Sequence, residues 1–395
     1  MKNNLENKVD VGYIDVGGKK LRRGYTTGTC AAAAAAAAAY MALHGCLLEQ
    51  VLVQLPGTAG TGADVPAELL LPLAGARLLD ADARSAAAAV TKDGGDDPDI
   101  TTGLNIWAEV RLNNSGEITL QGGRGVGRVT LPGLKVPVGE AAINPVPRAM
   151  ICRNVQAVLP PGLGAEVIIS APGGEELARR TFNPRLGIEG GLSILGSTGI
   201  VNPMSEDALK ESLRLELHVL AARGVQTVLF AFGNYGLQFL RERQIDEAQV
   251  IKISNYLGFM LDEARQLGIK RLIIIGHIGK LVKVSAGIFN THSRNADARM
   301  EIITAYAALA GAEQPLLTEL YQCKTTSAAV DLLDKAGGDL AQAVYRRIAR
   351  QAAERAVVYT YGEICVGTLL FGDANRLLYM DSRAADLLKE LKRNV

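Results

Sequence analysis

Residues 272–280 read LIIIGHIGK: four apolar residues, three of them β-branched, run straight into a turn with glycine at 276 and 279. A run so short, apolar without alternation and closed by glycine reads as a strand buried on both faces, the kind that parallel sheets use. Outward from it the same grammar repeats. Leu192–Leu195, Thr227–Ala231 and Val250–Ile253 are further short apolar strands, and helices are predicted over Ser205–Arg223, Tyr256–Leu267 and Asn295–Ala310. Strand and helix in alternation build βαβ units around a parallel sheet, so a Rossmann-like, doubly wound α/β domain is expected over 188–395. Its tail from Leu316 is mostly helical, with strands at Val366–Phe371 and Arg376–Met380.

The amino-terminal side is written differently. Gly24-Tyr25-Thr26-Thr27-Gly28-Thr29-Cys30 opens into nine alanines, Ala31–Ala39. Alanine is the best helix former and threonine a ready N-cap, so a buried helix is expected there, ending near His44-Gly45. Val51–Leu55 reads as a strand, and Ile106–Leu112 and Ile118–Gln121 read as a hairpin across Asn113-Asn114-Ser115-Gly116. A helix from Pro145 to Val155 and a strand at Val167–Ser170 complete an α+β domain over 1–187, the candidate substrate-binding part.

Bulk properties narrow the function. A chain of 395 residues, 48% hydrophobic and 21% charged, is expected to form two soluble globular domains. With 42 Lys plus Arg against 41 Asp plus Glu there is no basic domain, and nucleic acid is not an expected partner. The five cysteines are dispersed without a CxxC pair, which argues against a disulfide framework or structural zinc and for the reducing cytoplasm. Met1–Gly18 is polar without an apolar segment, so no signal peptide is expected. The longest apolar run, from Cys30, is mostly alanine and too weakly hydrophobic to span a bilayer. Oligomeric state stays open, a homo-oligomer included.

Each strand of the second domain ends in a glycine-bearing loop: Gly196-Ser197-Thr198-Gly199, Phe232-Gly233-Asn234-Tyr235-Gly236, Ser254-Asn255-Tyr256 with Gly258, and Gly276-His277-Ile278-Gly279-Lys280. Glycine there serves either a tight turn or the close approach of backbone to a ligand, and four such loops in succession weigh toward the ligand. Gly196, Thr198, Gly199, Gly233, Asn234, Gly276, His277 and Gly279 are the candidate cofactor contacts. No GxGxxG follows a first strand and no P-loop lysine pattern exists, which disfavours NAD and ATP.

Thr26, Thr27 and Thr29 at a helix amino end suit either an ordinary cap or a substrate anion. Lys92-Asp93-Gly94-Gly95-Asp96-Asp97-Pro98-Asp99 gathers four carboxylates but lacks the closing glutamate of a calcium loop, and a turn of Asx-type caps is the plainer reading. His292, in Thr291-His292-Ser293 before a predicted helix and near Lys280, Lys283, Arg294 and Arg299, suits a cap, a carboxylate donor or a base. Arginines 22, 23, 124, 128, 148 and 153 fall in loops and turns of the first domain, where guanidinium groups could grip a polycarboxylate. Arg148 and Lys280 are the preferred substrate contacts. No protein metal site is expected.

The motifs LRRGYTTGTC (21–30), KDGGDDPDIT (92–101), AAINPVPR (141–148), GLSILGSTGIVNPMS (191–205), GHIGKLVK (276–283) and AGIFNTHSRNADARME (286–301) occur in an order that closely resembles the CbiD family of cobalt-precorrin-5B C1-methyltransferases. The likeness spans roughly residues 20–300 and is weaker over the last ninety. Two departures stand out. The alanine run lacks a lysine that family members often carry there, and Tyr235 stands where some relatives have His, so neither position is assigned an essential role. The resemblance implies methyl transfer from S-adenosylmethionine to C-1 of a cobalt-containing tetrapyrrole, giving cobalt-precorrin-6A, with cobalt belonging to the substrate. Residues alone reach only a two-domain α/β enzyme for an anionic ligand. They leave open a non-catalytic tetrapyrrole carrier, which would not bind S-adenosylmethionine, or a small-molecule kinase, which would bind ATP with magnesium.

Overall fold

The computed structural model describes residues 9–57, 66–80 and 84–393; the first eight residues of the polar amino-terminal stretch lie outside them. The chain divides after Glu206 into two compact units, later than the 187/188 boundary expected.

In the first unit, helix α1 (Thr27–His44) carries the alanine run, and Ala31–Ala39 are each at most 2% exposed. Thr26 caps its start, its side chain accepting from the Thr29 N–H, and Gly45 ends it at φ +66°. A helix apolar on every side must be surrounded, and α1 is. It packs on α2 (Pro145–Val158) and on the sheet built from β1 (Gly75–Leu78), β2 (Ser85–Thr91), β3 (Asn105–Asn113), β4 (Ile118–Gly122) and β5 (Gly164–Ser170). Strand β2 is itself SAAAAVT, buried from Ser85 to Val90. Methyl side chains on both partners let helix and sheet come close while losing no rotamer freedom.

The sheet order is β1-β2-β3-β5-β4, so the hairpin expected between β3 and β4 does not form. Strand β5 inserts between them, antiparallel to β3 (Gly164 opposite Asn113) and parallel to β4 (Ala165 opposite Ile118). The turn residues explain why. The Asn113 side chain accepts from the Ser115 N–H (3.0 Å) and hydroxyl (2.6 Å), folding the turn onto itself. Gly164 enters the space beside it, where a Cβ would overlap Glu117 O, Asn113 Oδ1 and Ser115 Oγ.

The segment expected to begin the second domain also belongs here. Gly191–Leu192 pairs in parallel with Gly125–Val126, and Ile200–Val201 pairs with Gly24–Tyr25. A Cβ on Gly191 would overlap the Gly125 backbone, and one on Gly125 would overlap the Ala171 backbone, so neither position accepts a side chain. The strand expected at Leu192–Leu195 is therefore not part of the second sheet.

The second unit contains α3 (Glu206–Ala222), β6 (Thr227–Ala231), α4 (Gly233–Glu242), β7 (Val250–Lys252), α5 (Leu257–Gln266), β8 (Arg271–His277), α6 (Ile278–Ser285), α7 (Arg299–Leu309), α8 (Gln314–Gln322), α9 (Thr326–Ala336), α10 (Gly338–Tyr359), β9 (Cys365–Phe371), β10 (Leu377–Met380) and α11 (Ser382–Arg393). Its sheet runs β7-β6-β8-β9-β10, parallel except for β10, which lies antiparallel on β9. The tail thus completes this sheet.

Side chains alternate between two cores. Val228, Phe230, Leu272, Ile274, Val366 and Leu370 face α5, α6 and α10. Leu229, Ala231, Ile273, Ile275, Leu369 and Phe371 face α4 and α11, where Phe239 stacks on Phe371 at 4.7 Å between ring centroids. Helix α4 was not expected, because Gly233 and Gly236 weaken the helical pattern; the supposed loop is its first turn. The chain leaves β6 toward one face and the adjacent β8 toward the other, which opens a crevice at their carboxyl ends. No helix among the described residues is long and apolar enough to cross a membrane.

Candidate active site

A cavity of about 750 Å³ lies in the second unit, over the carboxyl ends of β6, β7, β8 and β9. Each strand delivers part of its lining. After β6, Phe232 and Gly233 lead into α4; Gly233 has φ +63°, and the direction a Cβ would take there is open. Asn234 accepts from Lys252 Nζ at 3.2 Å, and Tyr235 is exposed. After β7 come Ser254, at φ +53°, and Asn255. After β9 come Gly372, Asp373, Ala374 and Asn375, the last two at φ +50° and +53°. Left-handed backbone at three non-glycine positions around one cavity is the strain that ligand sites tend to hold.

His277 ends β8 and caps α6: its Nδ1 accepts from the Gly279 N–H at 3.2 Å, and its Nε2 lies 3.1 Å from Asp373 Oδ1. That pair of bonds assigns the ring proton to Nε2, donating to Asp373. The Ser327 hydroxyl holds the Asp373 carboxyl below the usual carboxylate range; burial opposes it, and His277 adds to the lowering. Gly276 is packed rather than open, since a Cβ would press on Leu281 and Phe232 at 2.9 Å.

One wall is cationic. Lys280 Nζ donates to Asn255 Oδ1 (2.6 Å) and Thr291 O (3.4 Å). Lys283, 2% exposed, donates to Thr291 O (3.2 Å) and Ala296 O (2.8 Å). Burial lowers both ammonium pKa values; Lys283 and Arg299 push Lys280 down further, and Asp297 partly offsets the fall at Lys283. Arg299 forms a fork on Asp297 at 2.6 and 2.8 Å.

His292 lines the same cavity, exposed, with Nδ1 accepting from the Arg294 N–H at 3.1 Å. It caps a turn over 292–296 rather than the helix expected at Asn295, because α7 begins only at Arg299. The cavity therefore gathers Gly233, His277, Gly279, Lys280 and His292, with Asn234 bonded to Lys252 nearby. Sequence reading missed Thr326 and Gly372–Asn375. The apolar run Val366–Phe371 ending in Gly-Asp-Ala-Asn carries the same strand-then-turn signal that was read at 276.

The other candidates lie in the first unit. Thr26, Thr27 and Thr29 are buried and committed to the 193–199 segment. Thr29 Oγ1 donates to Gly199 O (2.7 Å), the Thr26 N–H to the same oxygen (2.9 Å), and the Gly28 N–H to Leu195 O (3.0 Å); Thr27 Oγ1 accepts from the Leu195 N–H (3.0 Å). The amino end of α1 thus spends its donors on the chain itself instead of presenting them to an anion. Gly196 and Gly199 are part of this joint, at φ +133° and +84°, and the Thr198 hydroxyl closes a local turn on Ile200. These three belong to a different unit from Gly233, Gly276 and Gly279, so the four loops do not line one sheet. Arg148, partly exposed, pairs with Glu140 at 3.4 Å. The 92–99 cluster is internal scaffolding: Lys92 pairs with Asp99, Asp93 holds Arg22 through two bonds at 2.7 and 2.8 Å, and Asp97 accepts from the Met204 N–H.

Known proteins place the whole chain. Residues 14–203 match the CbiD family and residues 290–382 match the CbiD C-terminal domain. The cobalt-precorrin-5B C(1)-methyltransferase of Alkaliphilus metalliredigens (strain QYMF) is 44% identical over 381 residues, 96% of this chain and 97% of that one. The protein of the same name from Thermoanaerobacter sp. (strain X514) is 48% identical over 320 residues, 81% of this chain and 84% of that one. A crystal structure of a cobalamin biosynthesis protein (cbiD) from Archaeoglobus fulgidus is 27% identical, covers 73% of this chain and 87% of that one, and has a TM-score of 0.35. The chain belongs to the CbiD family.

Proposed function

We propose that this chain methylates C-1 of cobalt-precorrin-5B with S-adenosylmethionine as donor, giving cobalt-precorrin-6A and S-adenosylhomocysteine in cobalamin biosynthesis. One observation carries the reading: near full-length similarity, at 44% identity, to relatives bearing that name. The second unit serves as a Rossmann-like donor-binding domain and the first as the substrate-binding part, in a cytoplasmic enzyme. Sheet order supports the donor assignment, since ligands of open parallel sheets sit where neighbouring strands send their connections to opposite faces.

The cavity suits the donor by size and by lining. Its volume falls in the usual range for small-molecule sites. Gly233 leaves its backbone open to a close ligand, and the adjacent amino end of α4 offers N–H groups. When bound, the donor supplies a methyl group already activated on a sulfonium. The work left to the chain is to hold carbon, methyl and sulfur in line and to exclude water. Gly233, His277 and Gly279 are assigned to the donor, with His277 kept in one orientation by Gly279 and Asp373. His292 is assigned to orienting the substrate, with Nδ1 engaged by Arg294. Arg148 is assigned to a substrate carboxylate, exchanging Glu140 for it.

The test is turnover. Purified protein with cobalt-precorrin-5B and S-adenosylmethionine is expected to yield cobalt-precorrin-6A and equimolar S-adenosylhomocysteine by chromatography and mass spectrometry. Absence of both products from correctly folded protein would remove the reading.

A further inference from the structure

The cationic wall of the second-unit cavity holds more positive charge than its own residues neutralise. Lys280 and Lys283 project from successive turns of α6 and bond the same carbonyl oxygen, that of Thr291, so two ammonium groups are close neighbours. Arg299 adds a third cation, and Asp297 is already engaged by its fork. Among the described residues no carboxylate lies within ion-pair distance of Lys280 or Lys283. Their partners are neutral: two carbonyl oxygens and the Asn255 amide.

Placing three cations together, partly out of water and with Asp297 as the one carboxylate acting on them, is costly. Lys283 is accounted for by its two backbone bonds, which tie down the 291–296 turn, whereas Lys280 reaches backbone only once, at 3.4 Å, so its charge is the one the packing leaves unexplained. The Asn255 side chain further fixes the arrangement, accepting from both Lys280 Nζ (2.6 Å) and Thr291 Oγ1 (3.1 Å). Lys280 is thereby held at the cavity wall with donor capacity left over.

We infer that Lys280, Lys283 and Arg299, organised by Asn255 and Thr291, form a carboxylate-binding subsite in this cavity. The choice of carboxylate over other anions rests on the methyltransferase reading, in which donor and macrocycle both carry carboxylates and neither carries phosphate. The donor contributes one through its methionyl portion, and the macrocycle contributes acetate and propionate side chains. Lys280 makes the direct contact; Lys283, more deeply buried, sustains the field behind it.

Calorimetry separates the sources. The probes are S-adenosylhomocysteine, 5′-methylthioadenosine, which keeps the thioadenosyl group but lacks the carboxylate, and the octacarboxylate uroporphyrin. Lys280→Gln retains a hydrogen-bonding group but no charge, and Lys280→Arg restores the charge; circular dichroism checks that both fold. A loss of about tenfold or more for S-adenosylhomocysteine in Lys280→Gln, with methylthioadenosine unchanged and recovery in Lys280→Arg, assigns the donor carboxylate. The same loss confined to uroporphyrin assigns the macrocycle and still upholds the subsite. Affinities for all three probes within twofold of wild type, or wild-type protein binding neither carboxylate probe, would overturn it. Methyl transfer by the wild-type protein is scored separately, so the subsite can fail while the methyltransferase reading stands, and the reverse.

Discussion

Replacing Lys92 with methionine is expected to loosen the 92–99 scaffold of the first unit. Lys92 is 2% exposed, with Nζ 2.9 Å from Asp99 Oδ2. Methionine fills the stem's space but leaves Asp99 without its cation. Removing one partner of a fully buried pair costs about 3–5 kcal/mol. Here the Asp99 side chain is 23% exposed and keeps two bonds from Thr101, which reduces the cost to about 2–3 kcal/mol. For a domain near 200 residues each kcal/mol lowers Tm by about 2–4 °C, so the first unit should melt about 4–12 °C lower. The chain's single tryptophan, Trp107, lies on β3, so its fluorescence follows this unit alone.

The pH dependence gives a second readout. Burial pushes the Asp99 carboxyl up, but the Lys92 charge and the bonds from Lys92 and Thr101 together outweigh it and hold the carboxyl below its ordinary range. A carboxyl lowered in the folded state contributes stability that is present above the unfolded value, about pH 4, and lost as pH falls through the folded one. The gap between wild type and Lys92→Met should therefore be widest near neutrality and shrink under acid. Adding Asp99→Asn should recover part of the loss at neutral pH. A Lys92→Met variant melting within about 1 °C of wild type at pH 7, or a gap indifferent to acid, would refute the reasoning.

Thr29→Val, nearly isosteric, should cost about 1–2 kcal/mol through the lost bond to Gly199 while leaving S-adenosylhomocysteine affinity unchanged; calorimetry and the Trp107 melt check both, and a large affinity loss at unchanged stability would return this loop to ligand binding. Gly24→Ala places a Cβ on the backbone of Asp93, Gly94 and Gly95, so it should destabilise the first unit more than Lys92→Met, as seen in the same melt. His292→Ala should lower turnover per folded molecule by about tenfold with donor affinity intact, as expected for an orienting role; an unchanged rate with a lower Tm would leave the residue only its turn cap.

Local chemistry was legible wherever one element settled its own fate. The alanine helix with its Thr26 cap and Gly45 stop, and the strands at 227, 250 and 272, follow from propensity and apolar run length alone. What failed depended on partners distant in sequence. Asn113–Gly116 carries hairpin chemistry, yet β5 arrives some fifty residues later and separates the strands. Leu192–Leu195 looks like a sheet strand, but its neighbours are Val126 and Ile143 of the first unit. At the candidate site, His277, Lys280 and His292 could be read because they sit in or beside strand-end turns. Gly196–Gly199 could not be told from them, since a glycine that accommodates a threonine and one that accommodates a ligand look alike in sequence. Gly372–Asn375 escaped notice because the strand before it follows a long helical stretch that masks its membership of the sheet.

The central claim is methyl transfer to one carbon of one macrocycle. The most direct measurement incubates the purified protein with cobalt-precorrin-5B and S-adenosylmethionine bearing an isotopically labelled methyl group, then locates the label in the product by nuclear magnetic resonance. The account predicts a single new labelled methyl, bonded to C-1, formed in step with S-adenosylhomocysteine. Label at another carbon, or an unlabelled macrocycle recovered from folded protein that binds both reactants, would contradict it.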